Sequence, residues 1–166
     1  MKKVIILLMM LSVVGFSKDT TKKYGLQKNN LFPEITLIST DGKDKITSKE
    51  LEGKKTIYSF VTTWCTYCTE ERPLLSNFYK NNKKDLNVVS IFIGGSGKSI
   101  DEYVKKHPAA YKYYHDKDEK IANKFIVRGT PTTYVVDEEG VIMARISGAV
   151  NWDQVTIEEL NKLQIQ

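Results

Sequence analysis

Ser59-Phe60-Val61-Thr62-Thr63-Trp64-Cys65-Thr66-Tyr67-Cys68 is the stretch that decides how this chain is read. It opens inside an apolar run, Lys55 to Val61, whose Ile57, Tyr58, Phe60 and Val61 have the composition of a buried strand. From Trp64 to Tyr79 the apolar residues recur with helical period. Two cysteines separated by two residues therefore stand where a strand gives way to a helix. The first backbone N–H groups of a helix lack partners within it, and the helix dipole places positive potential there. Both favour a thiolate at Cys65, which makes it a nucleophile near neutral pH. Cys68, one turn on, can attack the resulting mixed disulfide, so the pair exchanges two electrons.

Two other uses of such a pair compete. A structural disulfide normally closes a longer loop, because linking adjacent turns constrains the unfolded chain little. A tetrahedral zinc site needs four ligands, and one CxxC supplies two. The chain has two histidines: His107 precedes Pro108 at an expected helix end, and His115 lies in a polar stretch. Both read as surface residues, and no metal site is expected.

A length of 166 residues favours one domain with a core that needs no disulfide staples. Composition, 41% hydrophobic and 27% charged, is that of a globular chain rather than a disordered one. The first residues differ. Met1-Lys2-Lys3 is positive, Val4 to Phe16 is almost wholly apolar, and Ser17 is small, which is the three-part pattern of an export signal. The apolar run falls short of the roughly 20 residues that span a bilayer. Residues 1–17 are thus read as a signal peptide, with an uncleaved N-terminal anchor as the alternative, 18–30 as a flexible lead-in, and 31–166 as the domain. Removing residues 1–17 takes away two lysines and no acid, so the net charge falls from +5 to +3. The remaining excess is spread through pairs such as Lys54-Lys55, Lys83-Lys84 and Lys105-Lys106 and reads as solvated surface. No basic helix interleaved with aromatics points to nucleic acid.

Along the chain, Ile35 to Thr40 and then Asp41-Gly42-Lys43 read as strand, turn and return. Ser48 to Leu51 is one helical turn stopped at Gly53. Leu86 to Ile93 is a second apolar strand, and Ser99 to Lys106 a helix. Tyr111 to Tyr114 is a short strand. Asp118 to Phe125 is a helix with Asp118 as N-cap. Thr132 to Val136 and Val141 to Ile146 flank Asp137-Glu138-Glu139-Gly140 as a hairpin, and Val155 to Leu163 closes as a helix. Strands alternating with helices, then a hairpin, indicate an α/β sheet of mixed direction.

With these elements in place, Ser59 to Cys68 resembles the strand and active-site loop of thioredoxins. The likeness is closest to the exported TlpA/ResA-like thiol–disulfide oxidoreductases related to cytochrome c maturation. It continues at Glu71 and Pro73 and returns at Gly129-Thr130-Pro131-Thr132-Thr133, ahead of the hairpin. The resemblance implies a thioredoxin fold: a central mixed β-sheet flanked by helices, here with an N-terminal β-hairpin extension. It implies that Cys65 is the exposed attacking thiol and Cys68 the resolving one. It implies a cis Thr130–Pro131 bond facing the disulfide; proline makes such a bond affordable, at about 0.5–1 kcal/mol over trans. Trp64, Thr66, Tyr67, Thr130 and Pro131 would form the substrate surface. No cofactor is implied beyond the redox-active Cys65–Cys68 disulfide. The partners implied are exported protein thiols or disulfides and a membrane thiol donor of the CcdA/DsbD type.

Helical spacing adds a reading of its own. At 100° per residue, Cys68, Glu71, Leu75 and Phe78 share one face, which must point inward, while Glu70 points to solvent. Burial should raise the Glu71 carboxyl and make it a proton acceptor for Cys68; ResA-like proteins have a functional Glu at the matching position. Typical thioredoxins keep a buried Asp six residues before the first Cys, where this chain has Ser59. Pro73 falls inside the helix and should kink it.

Gly94-Gly95-Ser96-Gly97-Lys98-Ser99 follows a strand, precedes a helix and ends like a phosphate-binding loop. That motif needs a Gly five residues before Gly97, and Phe92 is there instead, so no nucleotide is expected. The expected function is disulfide exchange outside the cytoplasm, in the periplasm or cell envelope, with reduction the direction implied by the resemblance. A disulfide-forming oxidase and a copper chaperone on the same fold are the alternatives.

Overall fold

The structure, a computed structural model, describes residues 23–162. The expected signal segment 1–17 lies outside them, as do residues 18–22 and 163–166. Residues 23–30, the described part of the expected lead-in, form a turn tied to the domain. Gly25 N–H donates to Leu31 O, and Asn29 N–H donates to Ile142 O.

β1 (Thr36–Ile38) and β2 (Lys45–Thr47) pair antiparallel as the N-terminal hairpin. A single 3₁₀ turn, Ser48–Leu51, follows. Thr47 Oγ1 accepts the Glu50 N–H while the Glu50 carboxylate accepts the Thr47 N–H, the reciprocal cap that starts such turns. β3 (Lys55–Val61) leads to α1 (Thr66–Asn82), and β4 (Leu86–Ile93) to α2 (Gly97–Lys106). β5 (Lys112–Asp116), α3 (Lys120–Lys124), the hairpin of β6 (Thr132–Val136) with β7 (Ile142–Ser147), and α4 (Ile157–Lys162) complete the chain. The main sheet runs β5-β4-β3-β6-β7. β3 pairs parallel with β4 and antiparallel with β6, so the sheet is mixed as expected. Central placement explains why β3 reads as an almost unbroken apolar run: both its faces are covered.

Alternation along the strands separates those faces. On one, Tyr58, Phe60, Val89, Ile91 and Tyr134 pack with Phe32 and with Phe125, which follows α3; the Phe32 and Tyr58 rings stack at 4.3 Å. On the other, α1 lies over two apolar patches. Ile57, Val88 and Val135 meet Leu75, Phe78 and Trp152. Val61 and Phe92 meet Cys65, Cys68 and Ile100 of α2. Between the patches runs a row of buried hydroxyls, Ser90, Ser59 and Thr133, which are register partners on three adjacent strands.

Three local expectations change. α3 is capped by Asp116 rather than Asp118: the Asp116 carboxylate accepts the Ile121 and Ala122 N–H groups at 3.1 and 2.7 Å. Asp118 instead reaches Lys120 at the surface, at 3.2 Å. Both histidines are half-buried rather than on the surface. The His107 ring packs 4.8 Å from Tyr103, and a His115 ring nitrogen lies 3.0 Å from Gly94 O. A second 3₁₀ turn, Trp152–Gln154, precedes the last helix, which begins at Ile157 rather than Val155.

Candidate active site

Cys65 is the N-cap of α1. Its backbone is extended, at φ −84° and ψ 111°, and its sulfur accepts the Cys68 N–H at 3.1 Å. The sulfur thus occupies the place of a capping oxygen, against the positive end of the helix. No acidic residue stands in the first turn to offset that potential. Cys65 and Cys68 are joined as a disulfide, with Cα atoms 5.2 Å apart.

The chain returns to this point from the other side of the sheet. The Thr130–Pro131 bond is cis, as the resemblance implied. Thr130 O lies 3.3 Å from Cys65 Sγ, and the Thr130 and Thr62 hydroxyls are 3.3 Å apart. This cover corrects one expectation: Cys65 is buried, at 6% exposure against 3% for Cys68. Around the pair, Trp64 and Tyr67 are 81% and 66% exposed, and Thr66 is exposed as well. Thr130 is half-buried and Pro131 buried. Ile126, absent from the sequence reading, adds an exposed apolar side chain on the loop leading to Pro131. A groove of about 380 Å³ runs beside Pro131, between Arg128 and Gly148.

Glu71 lies where the helical count put it, 3% exposed on the inward face with Cys68, Leu75 and Phe78. Its Oε1 accepts the Val150 N–H and the Trp152 indole N–H, both at 2.9 Å. Burial pushes its carboxyl above the usual range, and these two donors pull it partly back. Val150 and Trp152 escaped the sequence reading because they sit about 80 residues away in a segment without periodicity. Arg72 escaped it too. It is 4% exposed on α1, four residues after Cys68, and its Nε donates to His107 O at 2.6 Å. The helical count used for Glu71 would have found it, had its charge not suggested solvent. Ser59 is buried beneath α1.

Gly94 to Ser99 closes on itself. Ser96 caps α2 by accepting the Ser99 N–H at 3.1 Å, and the Ser99 hydroxyl accepts the Ser96 N–H at 3.3 Å. Among the described residues no group of three or more His, Cys, Asp or Glu is placed to hold a metal ion, and no helix is long and apolar enough to cross a membrane.

A family model described as Redoxin matches residues 27–163. A thiol-disulfide oxidoreductase ResA of Bacillus cereus is 27% identical over 157 residues, covering 92% of this chain and 90% of that protein. Among solved structures, a chain described as a thiol:disulfide interchange protein DsbE from Chlorobium tepidum superposes with a TM-score of 0.75 at 19% identity. The match covers 86% of this chain and 100% of that one. StoA from Bacillus subtilis superposes with a TM-score of 0.65 at 20% identity, covering 78% and 96%. At these identities the structural likeness shows the fold, which is thioredoxin-like with an added two-stranded sheet.

Proposed function

The chain belongs to the redoxin family, and from that premise we propose that it is an extracytoplasmic thiol–disulfide oxidoreductase of the TlpA/ResA-like kind, which reduces disulfides in exported proteins. The observation that carries this reading is the disulfide at the start of α1, with Cys65 as its N-cap and Thr130–Pro131 against it. In the reduced form, the Cys65 thiolate attacks a client disulfide. One S–S bond forms to Cys65, the client's own breaks, and a client thiolate leaves. The Cys68 thiolate then attacks the Cys65 sulfur, which closes the Cys65–Cys68 bond and releases the second client thiolate. The client gains two electrons and takes up two protons; the pair loses two electrons.

Glu71 receives the proton that Cys68 gives up. Its buried carboxyl is held above the usual range, and its second oxygen accepts no hydrogen bond among the described residues. Trp64, Thr66, Tyr67, Thr130 and Pro131 make the surface on which the client strand lies. The reductive direction, and recharging by a membrane thiol donor of the CcdA/DsbD type, rest on the resemblance to ResA-like proteins. Location outside the cytoplasm rests on the composition of residues 1–17.

The test is insulin reduction in dithiothreitol. The wild-type chain should accelerate it and Cys65→Ser should not; equal rates with and without the wild-type chain would overturn the reading.

A further inference from the structure

We propose that Arg72 is a positioning residue for the exchange reaction: its buried guanidinium is the fixed positive charge that favours the thiolate form of the reduced pair, at Cys65 for attack and at Cys68 for resolution. This rests on the exchange reading above.

The guanidinium carbon lies 5.4 Å from the Tyr111 ring centroid, 5.8 Å from that of Tyr103 and 5.9 Å from that of Phe92. Nε is engaged by His107 O, but Nη2 is buried with no hydrogen-bond partner among the described residues. None of the ion pairs among those residues includes Arg72. A buried cation without a counter-ion is costly, and an apolar residue of similar size often serves stability better. The three rings and the His107 carbonyl hold the guanidinium in place, but none of them neutralises its charge.

Among the described residues, the groups that face it supply no anion. From α2 and its C-cap come the Tyr103 phenol and the His107 ring, and the Tyr103 hydroxyl is 2.9 Å from Thr69 Oγ1. From the β5 side come Tyr111 and Tyr113, whose phenols burial pushes up and so keeps neutral. Asp101 of α2 is already taken by the Thr40 and Tyr113 hydroxyls. On α1 itself, Glu71 turns its carboxylate to Val150 and Trp152. What remains is sulfur. Residues four apart on a helix are neighbours, and long side chains lean back toward the helix start. Arg72 therefore leans toward the Cys68 turn, and its guanidinium lies over Phe92, a member of the same buried cluster as Cys65 and Cys68. Reduction of the disulfide creates the anion that this site lacks.

Arg72→Met, Arg72→Gln and Arg72→Lys, each in the full chain, test this by equilibration with glutathione and by ultraviolet titration of the thiolate. Arg72→Met should disfavour the reduced pair about tenfold, a potential about 30 mV more negative. Its thiolate should appear about one pH unit higher. Arg72→Lys should retain wild-type values. A folded Arg72→Met chain with wild-type potential and titration would overturn the proposal. Should that variant not fold, equal potentials for Arg72→Gln and Arg72→Lys would do the same. Insulin reduction by the wild type is read separately: its absence would overturn the functional reading, while the potentials still decide Arg72.

Discussion

Two helices in this molecule begin in the same way and end up doing different things. α1 follows β3 and α2 follows β4; the two strands are parallel neighbours, so both helix starts lie at the same edge of the sheet. At α1 the cap is a sulfur, no acid stands in the first turn, and Thr130–Pro131 approaches from across the sheet. At α2 the caps are Ser96 and Ser99, which satisfy each other's backbone N–H groups. A side chain at Gly97 would stand 2.9 Å from Thr40 O, and one at Gly94 would stand 2.6 Å from the Glu119 carboxylate. The glycines there permit close packing and positive φ, at +60° for Gly94 and +72° for Gly95. A helix start is thus a reactive position only when the fold leaves its donors to a group with chemistry of its own.

Substitutions at the two starts should separate them. Cys65→Ser should reduce insulin-disulfide exchange to the uncatalysed rate and leave the fold intact; residual catalysed exchange would place the nucleophile elsewhere. Glu71→Gln keeps an oxygen for Val150 and Trp152, so the domain should still fold, but exchange should slow at neutral pH. An unchanged pH–rate profile would remove Glu71 from the proton path. The same variant carries a stability signature. Burial raises the folded-state carboxyl above its unfolded value, so its contribution is full below the unfolded value and is lost as pH rises through the folded one. Thermal melts from acid to neutral pH should therefore fall less steeply for Glu71→Gln than for the wild type. Ser96→Ala should cost about 1 kcal/mol in chemical unfolding, the usual worth of such a cap, and leave exchange untouched. Smallest of all, titration with ATP should give no binding signal at Gly94–Ser99; saturable binding would erase the contrast between the two helices.

The elements that the sequence made legible are those set by local rules. β3 and β4 run over the expected residues because a continuous apolar stretch bounded by polar residues has few other homes. Glu71 was legible because helical geometry alone decides which face it shares. What escaped depends on chain segments far apart. Cys65 is covered in part by a carbonyl 65 residues away and by Phe92 and Ile100 of its buried cluster. The donors to Glu71 come from a 3₁₀ turn with no periodic signal. Asp116 took the α3 cap from Asp118 because Glu119 adopts a left-handed conformation, φ 56°, that sets the helix start beyond Asp118. Arg72 was hidden by its own charge, since a guanidinium on a helix ordinarily marks the solvent side.

The claim on which the rest depends is that Cys65 attacks and Cys68 resolves. Expression of Cys68→Ser in the native host, followed by non-reducing separation of the captured species, measures it directly. Cys65 should then hold exported proteins as mixed disulfides that dithiothreitol releases, and Cys65→Ser with Cys68 intact should hold none. Trapping through Cys68 in the absence of Cys65, or no disulfide-linked partner from either variant, would contradict it.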